Sequence, residues 1–141
     1  MSEAPSSGAR VDSAHAAESP FKGQSGLRRV WNALNYSMAG LRAAYACEHA
    51  FRQEVWLAAV LVPVALLLPL GGLAKAMMVG SVLVVLIVEL LNSAIEAAVD
   101  RVSLENHRLA KRAKDIGSAA VLVALVNVAC VWAGILAERY L

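Results

Sequence analysis

Residues 87–101 read IVELLNSAIEAAVDR, and their three carboxylates, Glu89, Glu96 and Asp100, follow an apolar run over 73–88 in which only Lys75 is charged. On a helix, Glu89, Asn92, Ser93, Glu96 and Asp100 share one face, because three- and four-residue spacings return to the same side. Leu90, Leu91, Ile95, Ala98 and Val99 take the other side. An ionised carboxylate in the hydrocarbon centre costs ~2.5–3.5 kcal/mol on insertion scales. These carboxylates are therefore expected to face a bundle interior or a wet cleft, and to carry a function. A polar seam that only glues helices together is the plainer alternative, although one Asn would suffice for that.

Outward from this stretch the chain reads as membrane protein. It has 141 residues, 59% hydrophobic and only 17% charged. That is more apolar surface than a soluble domain of this length needs. The net charge of +2 is too small to suggest a nucleic-acid partner. Residues 1–25 are small and polar without an apolar period, which predicts a disordered tail without a signal peptide. Leu27, Val30, Trp31, Leu34, Met38, Leu41 and Tyr45 then recur every three or four residues. With Trp31 and flanking arginines, this stripe predicts an amphipathic helix over about 27–46, lying in the membrane interface. An amphipathic helix on a soluble core is the alternative.

Three apolar runs follow, with spans expected over about 52–70, 73–99 and 116–137. A polar loop is expected over about 100–115. Pro63 falls inside the first span, where lipid tolerates it better than water does, and Gly71 and Gly72 mark a turn. Arg28, Arg29, Arg42 and Arg52 precede the first span; Arg101, Arg108, Lys111, Arg112 and Lys114 separate the second from the third. The other boundaries have only Lys75 and Arg139. The positive-inside rule thus predicts a cytoplasmic N-terminus and a C-terminus on the opposite side. The fold class is an all-α integral membrane protein in which residues 26–141 form one domain: an interfacial helix followed by three spans. Three helices enclose a polar cleft poorly, so an oligomer is expected. Cys47 and Cys130 lie on opposite sides of the bilayer on this topology and are read as free, buried thiols.

Polar groups gather at the same inner level. CEHAFRQE brings Glu48, Arg52, Gln53 and Glu54 to the mouth of the first span; AKRAKD brings Lys111, Lys114 and Asp115 to the mouth of the third. Carboxylates facing lysines suit metal-phosphate chemistry. Carboxylate oxygens hold Mg²⁺, and metal and lysine together neutralise phosphate oxygens. A carboxylate in a low-dielectric site is also the stronger base. Topology marking alone is the competing account of the lysines. No P-loop and no dinucleotide fingerprint occurs. His15, His49 and His107 are scattered, and Ser93 and Ser118 have no evident His partner. Gly117, Ser118, Ala119, Ala120 and Ala124 offer a small-residue surface for close helix approach, with Ala113 and Gly117 at small-xxx-small spacing.

GLRAA at 40–44, ExAFRQE at 48–54, ELLNSAIEAAVDR at 89–101 and AKDIGSAAV at 113–121 together resemble the prokaryotic diacylglycerol kinase family, in its Gram-negative form. The resemblance covers residue 28 to the end of the third span. It implies a homotrimer of three-span subunits in the cell inner membrane, with active sites shared between neighbours at the cytoplasmic surface and the C-terminus in the periplasm. It implies transfer of the γ-phosphate of ATP, with Mg²⁺, to diacylglycerol, giving phosphatidic acid. By motif position Glu89 corresponds to the general base, and Glu48 and Glu96 to metal-holding carboxylates. Arg29, Tyr36, Asn92, Lys114 and Asp115 correspond to nucleotide and phosphate positions. Ser37, Gln53, Glu54, Ser93, Asp100 and Ser118 correspond to substrate or supporting positions. Asn106 stands where the family usually has a tyrosine. A kinase for another lipid alcohol such as undecaprenol is the nearest alternative. A small ion- or proton-conducting subunit is a remoter one, since pathway carboxylates should spread through the membrane depth rather than crowd one end.

Overall fold

A computed structural model describes residues 26–102 and 107–141. The expected tail and Asn106 lie outside the described residues. The elements are α1 (Gly26–Cys47), α2 (His49–Leu67), α3 (Gly72–Val102) and α4 (His107–Tyr140). Among the described residues every regular element is a helix. Three of the four are long and apolar enough to cross a membrane: His49–Leu67, Gly72–Arg101 and Arg108–Tyr140.

The chain divides into two units, Met1–Tyr36 and Ser37–Leu141. The described part of the first is the opening half of α1, where Leu27, Val30, Trp31 and Leu34 are all exposed. The second unit contains the rest of α1 and all of α2, α3 and α4. Within it α3 is the central helix, packing against both α2 and α4, while α2 and α4 do not pack on each other.

The seam is built from residues at seven-residue intervals, all but Phe51 of them small. On α2 the buried residues are Phe51, Ala58 and Ala65. On α4 they are Gly117 and Ala124. Seven residues make nearly two full turns, so each set forms one line along its helix. Between them α3 presents Met78, Ser81, Val82, Val85, Glu89, Asn92 and Ser93. This buried edge is apolar at one end of α3 and polar at the other. Ser81 keeps its hydroxyl satisfied locally by donating to Met78 O at 2.7 Å. Most large apolar residues of the spans point outward instead, among them Trp56, Leu83, Leu122 and Val126. That distribution suits lipid or partner helices as surroundings. Both cysteines are free, as expected, but exposed within the chain rather than buried. Cys130 lies off the packed edge of α4.

Helix ends differ from the hydropathy reading for local reasons. α2 stops at Leu67 rather than near 70 because Leu68 precedes Pro69. A residue before proline is pushed out of the helical region, and Leu68 sits at φ −61°, ψ 143°. Lys75 Nζ then donates to Leu66 O at 2.6 Å, occupying a carbonyl that the ended helix leaves free. The polar segment expected over 100–115 is mostly helical. α3 runs on to Val102 and α4 starts at His107. Ala110, Lys111, Arg112, Ala113 and Lys114 are good helix formers, so charge here marks helix that has left the hydrocarbon rather than loop.

Candidate active site

Glu48 is the one residue between α1 and α2, in extended geometry at φ −105°, ψ 117°, and its side chain makes no capping bond. The joint is tied from both sides. Glu48 N donates to Ala44 O at 2.9 Å, and Arg52 N to Glu48 O at 3.3 Å. Arg52 Nη1 also reaches back to Ala46 O at 3.1 Å and Tyr45 O at 3.4 Å. Its other nitrogen lies 2.7 Å from His49 Nδ1. Arg52 therefore fixes the joint, leaving the half-buried Glu48 carboxylate unengaged by the helix it caps.

The polar end of α3 supplies the densest set of groups. Glu89 is only 3% exposed, Asn92 8% and Ser93 9%. Asn92 Nδ2 donates to Glu96 Oε1 at 3.1 Å, one helical turn onward. Glu96 is half-buried, and among the described residues only its Oε1 is hydrogen-bonded. Asp100, a turn further and exposed, forms an ion pair with Lys114 of α4 at 2.6 Å. Eleven residues along a helix rise ~16 Å, so this face runs from a buried carboxylate to a solvated ion pair. Glu89 interacts electrostatically with Glu48, Glu54 and Glu96, and Lys114 with Glu96 as well as Asp100. Three helices and the α1–α2 joint thus bring four glutamates, one lysine, one aspartate and one asparagine to one end of the unit.

Several buried polar atoms have no hydrogen-bond partner among the described residues: Glu54 Oε2, Asn92 Oδ1 and Ser93 Oγ. Ser93 and Glu48 also line a groove of about 350 Å³ between the second half of α1 and α3, whose remaining walls are Gly40, Ala43, Ala44, Cys47, Leu90, Ala94 and Ala97. The groove is a polar corner with small apolar walls. A cavity of about 160 Å³ lies between α2, α3 and α4, with Glu54 as its one charged lining residue.

Of the residues singled out from sequence, the fold gathers Glu48, Glu54, Glu89, Asn92, Ser93, Glu96, Asp100 and Lys114. Gln53, Asp115 and Ser118 are exposed, with no hydrogen bond or ion pair to this set among the described residues. Ser37 lies on the exposed surface of α1. Arg29 and Tyr36 belong to the other unit, where both are exposed. Gly117 was read only as part of a small-residue surface, yet it lies directly against Asn92.

Among the described residues no three His, Cys, Asp or Glu side chains group closely enough to hold a metal by themselves. Mg²⁺ does not require such a cage, since it commonly takes one or two carboxylates and completes its shell with water and phosphate oxygens. Glu48, with no capping bond, and Glu96, with one oxygen engaged, are all-oxygen donors of that kind.

The fold and its polar end define a helical membrane protein with an acidic, partly buried site at one rim of its spans. Residues 35–136 match the family model for prokaryotic diacylglycerol kinase, and the chain belongs to that family. The diacylglycerol kinase of Pseudomonas aeruginosa is 59% identical over 118 residues, covering 84% of this chain and 96% of its own. That of Haemophilus influenzae is 47% identical over 111 residues, covering 79% and 94%. That of Helicobacter pylori J99 is 40% identical over 115 residues, covering 82% and 90%.

Proposed function

We propose that the chain is a lipid kinase that moves the γ-phosphate of ATP to the hydroxyl of 1,2-diacylglycerol, producing phosphatidic acid. The observation that carries this reading is the polar end of the α3 seam. There a carboxylate only 3% exposed stands two turns inward from a second carboxylate oriented by an amide. A lipid hydroxyl approaches from the membrane and a nucleotide from water, so a site joining them needs both depths. Glu89, ~10 Å deeper than Glu96 along the helix, takes the hydroxyl proton as the oxygen attacks the γ-phosphorus. The bond to the β-phosphate oxygen breaks, and ADP leaves.

Phosphoryl transfer asks the protein chiefly for positioning and charge neutralisation. Glu48 and Glu96 would hold Mg²⁺, which when bound neutralises charge on the phosphate oxygens. Asn92 orients Glu96. Lys114, held at the rim by Asp100, offers its ammonium to phosphate. Asp115 completes the nucleotide side, and Ser37, Gln53, Glu54, Ser93 and Ser118 the substrate and supporting positions.

The chain works as a homotrimer with sites shared between neighbours. Support comes from Glu54 Oε2 and Ser93 Oγ, buried without a partner in one subunit, and from the outward-facing apolar surface of α4. α1 lies in the interface plane as an amphipathic helix; its exposed Leu27, Val30, Trp31 and Leu34 favour that reading. The active rim faces the cytoplasm of the inner membrane, where the basic residues cluster, and the C-terminus is periplasmic.

The test is ATP-dependent incorporation of γ-phosphate by purified protein in mixed micelles offering diacylglycerol and undecaprenol separately. Preferential labelling of diacylglycerol is expected. Preferential labelling of undecaprenol would move the substrate to the other lipid alcohol.

A further inference from the structure

A Cβ placed on Gly117 would collide with Asn92 Oδ1 and stand 3.2 Å from Asn92 Cγ. The amide oxygen of Asn92 therefore occupies the direction in which any other residue at 117 would project its side chain. Asn92 is 8% exposed, and this oxygen has no conventional donor among the described residues. The opposite edge of the same amide donates to Glu96 Oε1 at 3.1 Å. A carboxylate accepts only, so Nδ2 must face Glu96 and Oδ1 must face α4. The glycine Cα–H takes the direction a Cβ would have, and it supplies the weak donor that an amide oxygen in such a seam can use.

We propose that Gly117 is a positioning residue for the phosphotransfer site. It is the seat that holds the Asn92 amide in the α3–α4 seam, and through Asn92 it sets the orientation of the Glu96 carboxylate. Gly117 touches no substrate; it acts by having no side chain. A methyl group at 117 displaces the amide, Nδ2 leaves Glu96 Oε1, and Glu96 loses its orienting bond. Partners of metal-holding groups that are removed in this way typically cost about 10- to 100-fold in metal affinity or activity. The inference rests on the reading of Glu96 as a metal-holding carboxylate.

The experiment is a double-mutant cycle of Gly117→Ala and Asn92→Ala in the full-length protein in detergent micelles. It reads Mn²⁺ binding by electron paramagnetic resonance with a non-hydrolysable ATP analogue, and the Mg²⁺ dependence of kinase activity. Gly117→Ala is expected to weaken Mn²⁺ binding about 10-fold or more. In the Asn92→Ala background the same substitution is expected to add nothing, because the amide it would strike is gone. Equal, additive losses in both backgrounds would overturn the seat, as would unchanged Mn²⁺ binding by Gly117→Ala. If Gly117→Ala prevents assembly, the double variant decides. Restored assembly supports a clash with Asn92, and continued failure means that Gly117 serves helix packing alone. Should Asn92→Ala itself leave Mn²⁺ binding and activity unchanged, the site reading fails, and not merely the role of Gly117.

Discussion

Glu89 is the most buried carboxylate of the site, and its burial separates its role from those of its neighbours. Glu89→Gln keeps shape and volume but removes the basic oxygen. Turnover is expected to fall by ~100-fold or more, while assembly and nucleotide-analogue binding persist. Size-exclusion chromatography beside a phosphate-transfer assay reads both, and parallel loss of assembly would make Glu89 a structural group. Lys114 makes the opposite case. Its ion pair with Asp100 lies at the exposed rim, and surface pairs contribute little to stability. Lys114→Met should leave thermal unfolding nearly unchanged and raise the apparent KM for ATP several-fold; a large stability loss with normal kinetics would reverse that assignment. The acidic face of α3 was legible in the sequence because spacings of three and four lie on one side whatever surrounds the helix. Gly117 was legible only as small. Which neighbour needs that smallness depends on the side chain across the seam, and helical periodicity says nothing of partners on another helix.

α2 and α3 behave as a hairpin whose ends are set by local chemistry. Hydropathy carries the first span to about 70, but Pro69 disfavours a helical Leu68, and Lys75 caps the shortened end through Leu66 O. Lys75→Met should cost about 1 kcal/mol of helix-end stabilisation. Reversible unfolding in mixed detergents would register that loss, and no change would mean that water or headgroups serve Leu66 O equally well. Ala65, fully buried against α3, has no room for a larger side chain. Ala65→Leu should destabilise by about 1–3 kcal/mol through overpacking. The same unfolding assay checks this, with a neutral result implying that the hairpin can open without penalty. Helix continuity beyond Asp100 escaped the hydropathy reading because charge was taken to mean loop. Outside the hydrocarbon, alanines and lysines make helix as readily as leucines do inside it.

At the scale of the whole molecule, composition made the three membrane-length helices readable. The central position of α3 was not readable, because the polar face of α3 shows that the helix meets neighbours without saying how many or which. The proposal that neighbouring subunits share each site leads to a direct expectation. Glu48→Gln and Glu89→Gln, each inactive alone, should regain part of their activity when the two proteins are mixed, denatured and reassembled together. That happens if neighbours supply different parts of one site; permanent inactivity of the mixture would confine each site to one subunit. The seven-residue rhythm of Phe51, Ala58, Ala65 and of Gly117, Ala124 has an evolutionary corollary. Inserting one codon within either stretch turns everything beyond it by about 100°, carrying half of the contact line away from α3. Adding seven restores the angle but lengthens the span by ~10 Å, more than a bilayer ~30 Å thick absorbs without tilt. Within these helices, descent is free to exchange residues yet scarcely free to gain or lose them.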